Sequence, residues 1–231
     1  MAVTMRTPGH DFELAVGFLY TEGLIAGRSD VAAVRYCDLP AGEQYYNVVT
    51  VNLTRPFDRA GLQRNFYATS SCGVCGKASL EQVEVRCEPV APGPTVGASI
   101  LHTLPDALRA GQRIFDQTGG LHAAGLFDPD GNLISLREDV GRHNAVDKLA
   151  GHALLAGDLP LAERVLMVSG RVSFEIVQKA AVAGVPVVCA VSAPTSLAVE
   201  AAERFGMTIV GFLRERGFNV YSRPERIDLD A

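Results

Sequence analysis

The chain reads as an α/β protein whose mixed β-sheet is sandwiched by helices. Three observations predict it. Apolar runs at 165–168, 185–191 and 208–213 read as strands, and the intervening 172–183 and 195–205 carry helical patterning. Strands alternating with helices of this length require right-handed crossovers, hence parallel neighbours. Two more strands, 121–127 and 132–137, flank Asp128-Pro129-Asp130-Gly131, a hairpin signal that makes the sheet mixed.

The other elements follow in order. Residues 11–25 read as a helix, with Asp11 and Glu13 in its first turn and Leu14, Ala15, Phe18 and Leu19 on one side. Residues 31–37 and 45–53 read as strands, the second placing Val49, Val51 and Leu53 on one face, and 64–69 as a third. A Cys-x-x-Cys loop follows, then a helical run from Lys77 to about Val85. The tract 88–97, with three prolines and two glycines, reads as a linker or crossover. Pro105 is expected near the start of a helix reaching about Gln117, and a further helix spans about Arg142 to Ala156. The chain is expected to form one compact unit of two parts, an N-terminal part, 1–95, carrying the cysteine loop, and an α/β part, 96–231, that binds a cofactor.

Composition narrows the function. With 231 residues, 48% hydrophobic and 20% charged, the chain is long enough for a sizeable core. A net charge of −5 gives no electrostatic signature of nucleic acid or an anionic membrane. No apolar run approaches membrane-spanning length and no signal-peptide pattern opens the chain. Five irregularly spaced cysteines fit a reducing, cytoplasmic compartment better than a disulfide scaffold.

The segment Thr69-Ser70-Ser71-Cys72-Gly73-Val74-Cys75-Gly76 carries the sharpest chemistry. Small residues leave it flexible, and two intervening positions let the sulfurs meet. Metal ligation, disulfide exchange and sulfur transfer as a persulfide are the available roles. Lys77 stands close enough to help ionise a thiol. Cys87 stands twelve residues past Cys75 with no fourth ligand at zinc-like spacing, so metal ligation stays open as the lesser role behind redox or sulfur transfer, and no structural metal is expected. Cys37, Cys87 and Cys189 sit in strand-like or apolar contexts and read as core residues.

Four further constellations are polar. Glu138 to Asn144 crowds the start of a helix, with Asp139 expected to cap and Arg142 and His143 to face a ligand. Ser169, Gly170 and Arg171, leading to Ser173, form a strand-to-helix junction suited to an anion, although the lysine of a Walker loop is missing. Ser192 and Thr195 stand at a second such junction. Ordinary capping explains either junction alone. In a parallel sheet both open at the carboxyl edge, where a pyrophosphate or nucleotide would bind. Residues 207–227 set four arginines against two glutamates, and Phe212, Phe218 and Tyr221 offer stacking faces. His122, after Gly119-Gly120, reads equally as structural or as ligand-facing.

The combination of SSCGVCGKASL (70–80), GGLHAAGLF (119–127), EDVGRHNAVDKLAG (138–151) and SGRVSFEIVQKAA (169–181) resembles the formate dehydrogenase accessory sulfurtransferases, the FdhD family. SAPTSLAVEAA (192–202), GFLRERGFNVYS (211–222) and TPGHDFELAVGFLYTEGLI (7–25) extend the resemblance over nearly the whole chain. It implies a cytidine-deaminase-like fold and a homodimer. It also implies a sulfur carrier that accepts sulfur from a cysteine desulfurase as a persulfide. The carrier would pass it to a bis(molybdopterin guanine dinucleotide) cofactor of molybdenum or tungsten, before insertion into formate dehydrogenase. Cys72 matches the persulfide cysteine and Cys75 its partner. The run Phe212, Leu213, Arg214, Glu215, Arg216 and Gly217 matches a cofactor-binding segment. Family members usually carry some tens of residues, including an early strand, before the segment that begins here at residue 7; lacking that strand would expose a sheet edge. A non-catalytic cofactor chaperone remains the alternative. A zinc deaminase fails on residues, since no His-x-Glu occurs and proline precedes neither cysteine.

Overall fold

A computed structural model describes residues 2–38, 45–56 and 88–231. The expected strand at 64–69, the cysteine loop and the helix from Lys77 lie outside the described residues.

At the centre is a six-stranded mixed sheet of order β5-β4-β6-β7-β8-β9. Its strands are β4 (His122–Phe127), β5 (Leu133–Asp139), β6 (Val165–Val168), β7 (Val187–Ala190), β8 (Thr208–Arg214) and β9 (Gly217–Ser222). β6, β7 and β8 run parallel; β4, β5 and β9 pair antiparallel to their neighbours. Alternation along the strands separates two cores. Leu126, Leu166, Val168, Val188 and Ile209 point to one face, beneath α4 (Arg142–Ala156), α5 (Phe174–Val182) and α6 (Ser196–Phe205). Phe127, Val165, Met167, Val187 and Cys189 point to the other, beneath α2 (Ala98–Gly111). Helices thus cover both faces. Cys189 is fully buried, and burial pushes its thiol pKa far up, which makes it inert.

The N-terminal elements dock onto the α4 side. α1 (Asp11–Thr21) crosses α4 so closely that a methyl group on Gly17 would sit 1.8 Å from the Asp147 carbonyl oxygen, and one on Gly151 1.9 Å from that of Glu13. Only glycine permits this backbone contact. β1 (Val31–Tyr36) and β2 (Val49–Leu53) form an antiparallel pair whose Val31 packs with Val16, Ile25 and Leu154.

Four expectations change. The helix placed near Pro105 begins at Ala98, so the proline lies inside it, and the chain breaks at Gln112 before a short α3 (Arg113–Thr118). Leu101, Leu104 and Leu108 share its buried face. Burying three leucines at about 1.5–3 kcal/mol each outweighs the ~3 kcal/mol cost of an interior proline. The tract 88–97 ends in a short strand, β3 (Val96–Gly97), which pairs parallel with β10 (Ile227–Asp228). The strand expected over 45–53 forms from Val49 only. The run after β8 turns back as β9, a strand hidden in the sequence by its mixed polar character.

Candidate functional site

The carboxyl ends of β6, β7 and β8 open at one edge, and the antiparallel β4 brings its first residue, His122, to the same place. The ladder aligns Ala124 with Val168, so His122 falls beside Ser169 and Gly170. A methyl group on Gly170 would lie 3.2 Å from His122 Nδ1 and 3.6 Å from Arg142 Cδ. The two junctions are laced together: Val172 N–H donates to the Ala193 carbonyl at 3.3 Å, and Thr195 N–H to the Val172 carbonyl at 2.9 Å. Val172 therefore bridges to Pro194, and α5 starts at Phe174 rather than at 172.

β8 meets this edge through Phe212. Its N–H donates to the Ser192 carbonyl at 3.2 Å, its backbone is left-handed (φ 53°), and the residue is 41% exposed. A non-glycine residue held there costs of order 1–3 kcal/mol, and such positions cluster at functional sites. The β8–β9 register slips between Gly211 and Arg214, an irregularity that re-aims the flanking side chains.

The structure sorts the expected site residues. Ser169 Oγ accepts from Ala123 N–H at 2.8 Å, so this hydroxyl ties β4 to β6. Thr195 caps α6, accepting from Ala198 N–H at 3.2 Å. Arg171 is exposed beside Gly170. Leu213 is fully buried in the α2-side core, so its side chain serves packing. Arg214, Glu215, Arg216 and Gly217 are exposed at the hairpin tip, where the Arg214 carbonyl lies 2.6 Å from His102 Nδ1. Cys72 and Cys75 lie outside the described residues.

The cluster 138–144 splits in two. Its acidic and amide members are structural. Glu138 accepts from Ile114 and Phe115 N–H at 2.9 and 2.7 Å, holding the start of α3. Asp139 was expected to cap α4; Gly141 instead occupies the cap position, and no side chain caps there. Asp139 pairs with the buried Lys148 at 2.7 Å and accepts from Asn144 and from the Thr7 N–H. Lys148 also donates to the Thr7 carbonyl, and Asn144 to that of Met5, so the segment before α1 is strapped across this motif.

Arg142 and His143 face the junction instead. His143 Nε2 lies 3.1 Å from Ser173 Oγ and 3.9 Å from Glu175 Oε2. Burial first, and then the Arg142 guanidinium, lower the His143 pKa to about 4. The same two causes lower that of His122. Both rings are neutral at pH 7. Glu175 escaped the sequence reading because a glutamate in a first helical turn ordinarily answers the helix dipole. Nothing in spacing links it to His143 on another helix.

The edge therefore offers neutral imidazoles, arginine side chains, backbone N–H groups at two helix starts and an exposed aromatic ring. These suit a ligand with phosphates and a flat base. Among the described residues, no helix is long and apolar enough to cross a membrane.

Comparison with known proteins gives this arrangement a context. The model of the FdhD/NarQ family matches residues 1–228. The chain is 56% identical over 233 residues to the sulfur carrier protein FdhD of Mycolicibacterium paratuberculosis, covering 98% of this chain and 86% of that protein. It is 55% identical over 239 residues to the protein of the same name from Streptomyces coelicolor, covering 100% and 84%. A crystal structure described as a formate dehydrogenase accessory protein from Desulfotalea psychrophila superposes with a TM-score of 0.74 at 26% identity, over 97% of this chain and 83% of that one.

Proposed function

Because the chain belongs to the FdhD/NarQ family, we propose that it is a sulfur carrier acting as a sulfurtransferase in the maturation of formate dehydrogenase. A cysteine desulfurase supplies the sulfur: the Cys72 thiolate attacks the outer sulfur of the donor persulfide, the new S–S bond forms on Cys72, and the donor cysteine leaves as thiolate. Cys75 serves as its partner in the loop. The cargo that receives the sulfur is a bis(molybdopterin guanine dinucleotide) cofactor of molybdenum or tungsten, in a homodimer working in the cytoplasm.

The observation that supports this reading is the convergence of His122, Gly170, Arg171, the 192–195 junction and Phe212 on one sheet edge, in a chain whose relatives are named sulfur carriers. Phosphates would lie against Gly170, Arg171 and the Ser192–Thr195 turn, within reach of Arg214 and Arg216 on the hairpin tip. The exposed Phe212 ring would stack on a base or pterin.

The intact mass of the protein after incubation with a cysteine desulfurase and cysteine tests the carrier step. A reducible gain of one sulfur, absent in Cys72→Ala, is expected. No gain from an active desulfurase would overturn the carrier role in favour of a cofactor chaperone. Formate dehydrogenase activation that survives Cys72→Ala would do the same.

A further inference from the structure

Beside Gly170 the polar groups are left incomplete. Arg142 Nε and Glu175 Oε2 are both buried without a hydrogen-bond partner. Buried polar atoms of this kind call for a partner, such as ordered water, an ion or a ligand. The two atoms flank His143, whose Nε2 faces both Ser173 Oγ and Glu175 Oε2; without a proton that nitrogen accepts from the Ser173 hydroxyl and offers Glu175 no donor. Arg142 on α4, His122 on β4 and Lys179 on α5 oppose a second proton on His143, and Glu175 on α5 favours one. Asp139, opposite His122 in the β4–β5 ladder, is spent on Lys148 and Asn144.

We propose that this corner is a proton-linked anion subsite, in which a ligand phosphodiester binds against Arg142 and the Gly170 backbone while His143 takes a proton from solvent and closes onto Glu175. The proposal rests on the reading that this edge receives a dinucleotide. A negative charge opposite Arg142 offsets the guanidinium's repulsion, which after burial is the main cause that holds His143 neutral. The proton gained by the imidazolium gives Nε2 an N–H that can donate to Glu175 Oε2. Because the ligand raises the His143 pKa from about 4, affinity is lowest at high pH. It tightens as pH falls through the bound-state pKa and levels off below the free value. One proton limits the slope to about tenfold per pH unit.

The test is calorimetry with P1,P2-di(guanosine-5′) diphosphate, whose phosphodiesters do not titrate near neutrality. Titrations in two buffers of different ionisation enthalpy, between about pH 5 and about pH 7.5, report proton uptake directly. Uptake approaching one proton per site at the acid end is expected, together with tightening toward acid and loss of both in His143→Gln. Glu175→Gln, which removes the partner of the imidazolium, should lower the uptake and serves if His143→Gln fails to fold. Binding without uptake, or uptake that survives both substitutions, overturns the proposal and leaves the dinucleotide site standing. Absence of binding at every pH overturns the site itself, and the proposal with it.

Discussion

Two acid–base pairs join α4 to α5 one helical turn apart, and they differ in completeness. At the sheet edge, His143 and Glu175 stand 3.9 Å apart. Four residues further along each helix, Asp147 and Lys179 meet at 2.9 Å, both fully buried. The inner pair is completed by α1: Thr21 donates to Asp147 at 2.6 Å and accepts from Lys179 at 3.0 Å, while Glu22 takes a further bond from Lys179 at 2.7 Å. Burial alone would neutralise Lys179; Asp147 and Glu22 outweigh it and raise its pKa. Among the described residues, the outer pair has only Ser173. The same helices thus hold a closed network and an open one, and the difference is whether α1 reaches them. Density of charge does not mark a site; unfinished pairing does.

Breaking the closed network should have the largest effect. Lys179→Met leaves Asp147 buried without its counter-charge and takes one ion pair from the partly buried Glu22. It should cost about 3–5 kcal/mol, read as a lowered urea midpoint at unchanged slope. A cost below about 1 kcal/mol would show that the network is hydrated and that the contrast with the edge is false. Glu138→Ala sharpens the division inside the 138–144 motif. It removes acceptors for two N–H groups at the start of α3 and should lower stability by about 1 kcal/mol. The smallest stability effect is expected at the edge. Gly170→Ala brings a methyl to 3.2 Å from His122 Nδ1, a contact that a partly exposed ring can relieve. Unfolding should change by less than about 0.5 kcal/mol, while binding of the same guanosine dinucleotide weakens at least several-fold. Equal losses in stability and binding would make the edge one more piece of scaffold.

The sheet was legible because β6, β7 and β8 are short apolar runs between amphipathic helices, a pattern that periodicity resolves. The Asp128–Gly131 hairpin was legible from turn chemistry alone. β9 was not, because Asn219 and Ser222 interrupt its apolar residues and its pairing depends on a bulge after Gly211. The start of α2 was misplaced because Pro105 signals a first turn locally, whereas tertiary burial of Leu101 and Leu104 extends the helix backward past it. At the site, Gly170, Arg171 and Phe212 were readable as junction or stacking residues. The structural use of Ser169, Leu213 and Asp139 was not, since each has a partner distant in sequence: Ala123, the α2-side core and Lys148. Glu175 was hidden for the same reason.

The strap formed by the residues before α1 sets an order of events during synthesis. Thr7 leaves the ribosome 132 residues ahead of Asp139, the acceptor of its N–H. At about 5–20 residues per second, that is a wait on the order of ten seconds. Through that interval the α1 segment has no α4 to pack on, and Gly17 has no partner backbone. The strap can be seated only after Asp139 and Lys148 emerge, when it joins their buried ion pair and the first turn of α4, with Arg142 and His143 at its tip. The corner of the sheet edge therefore cannot take shape before both ends of this long loop have met, and a nascent chain can hold no ligand there until Gly170 and Glu175 have followed.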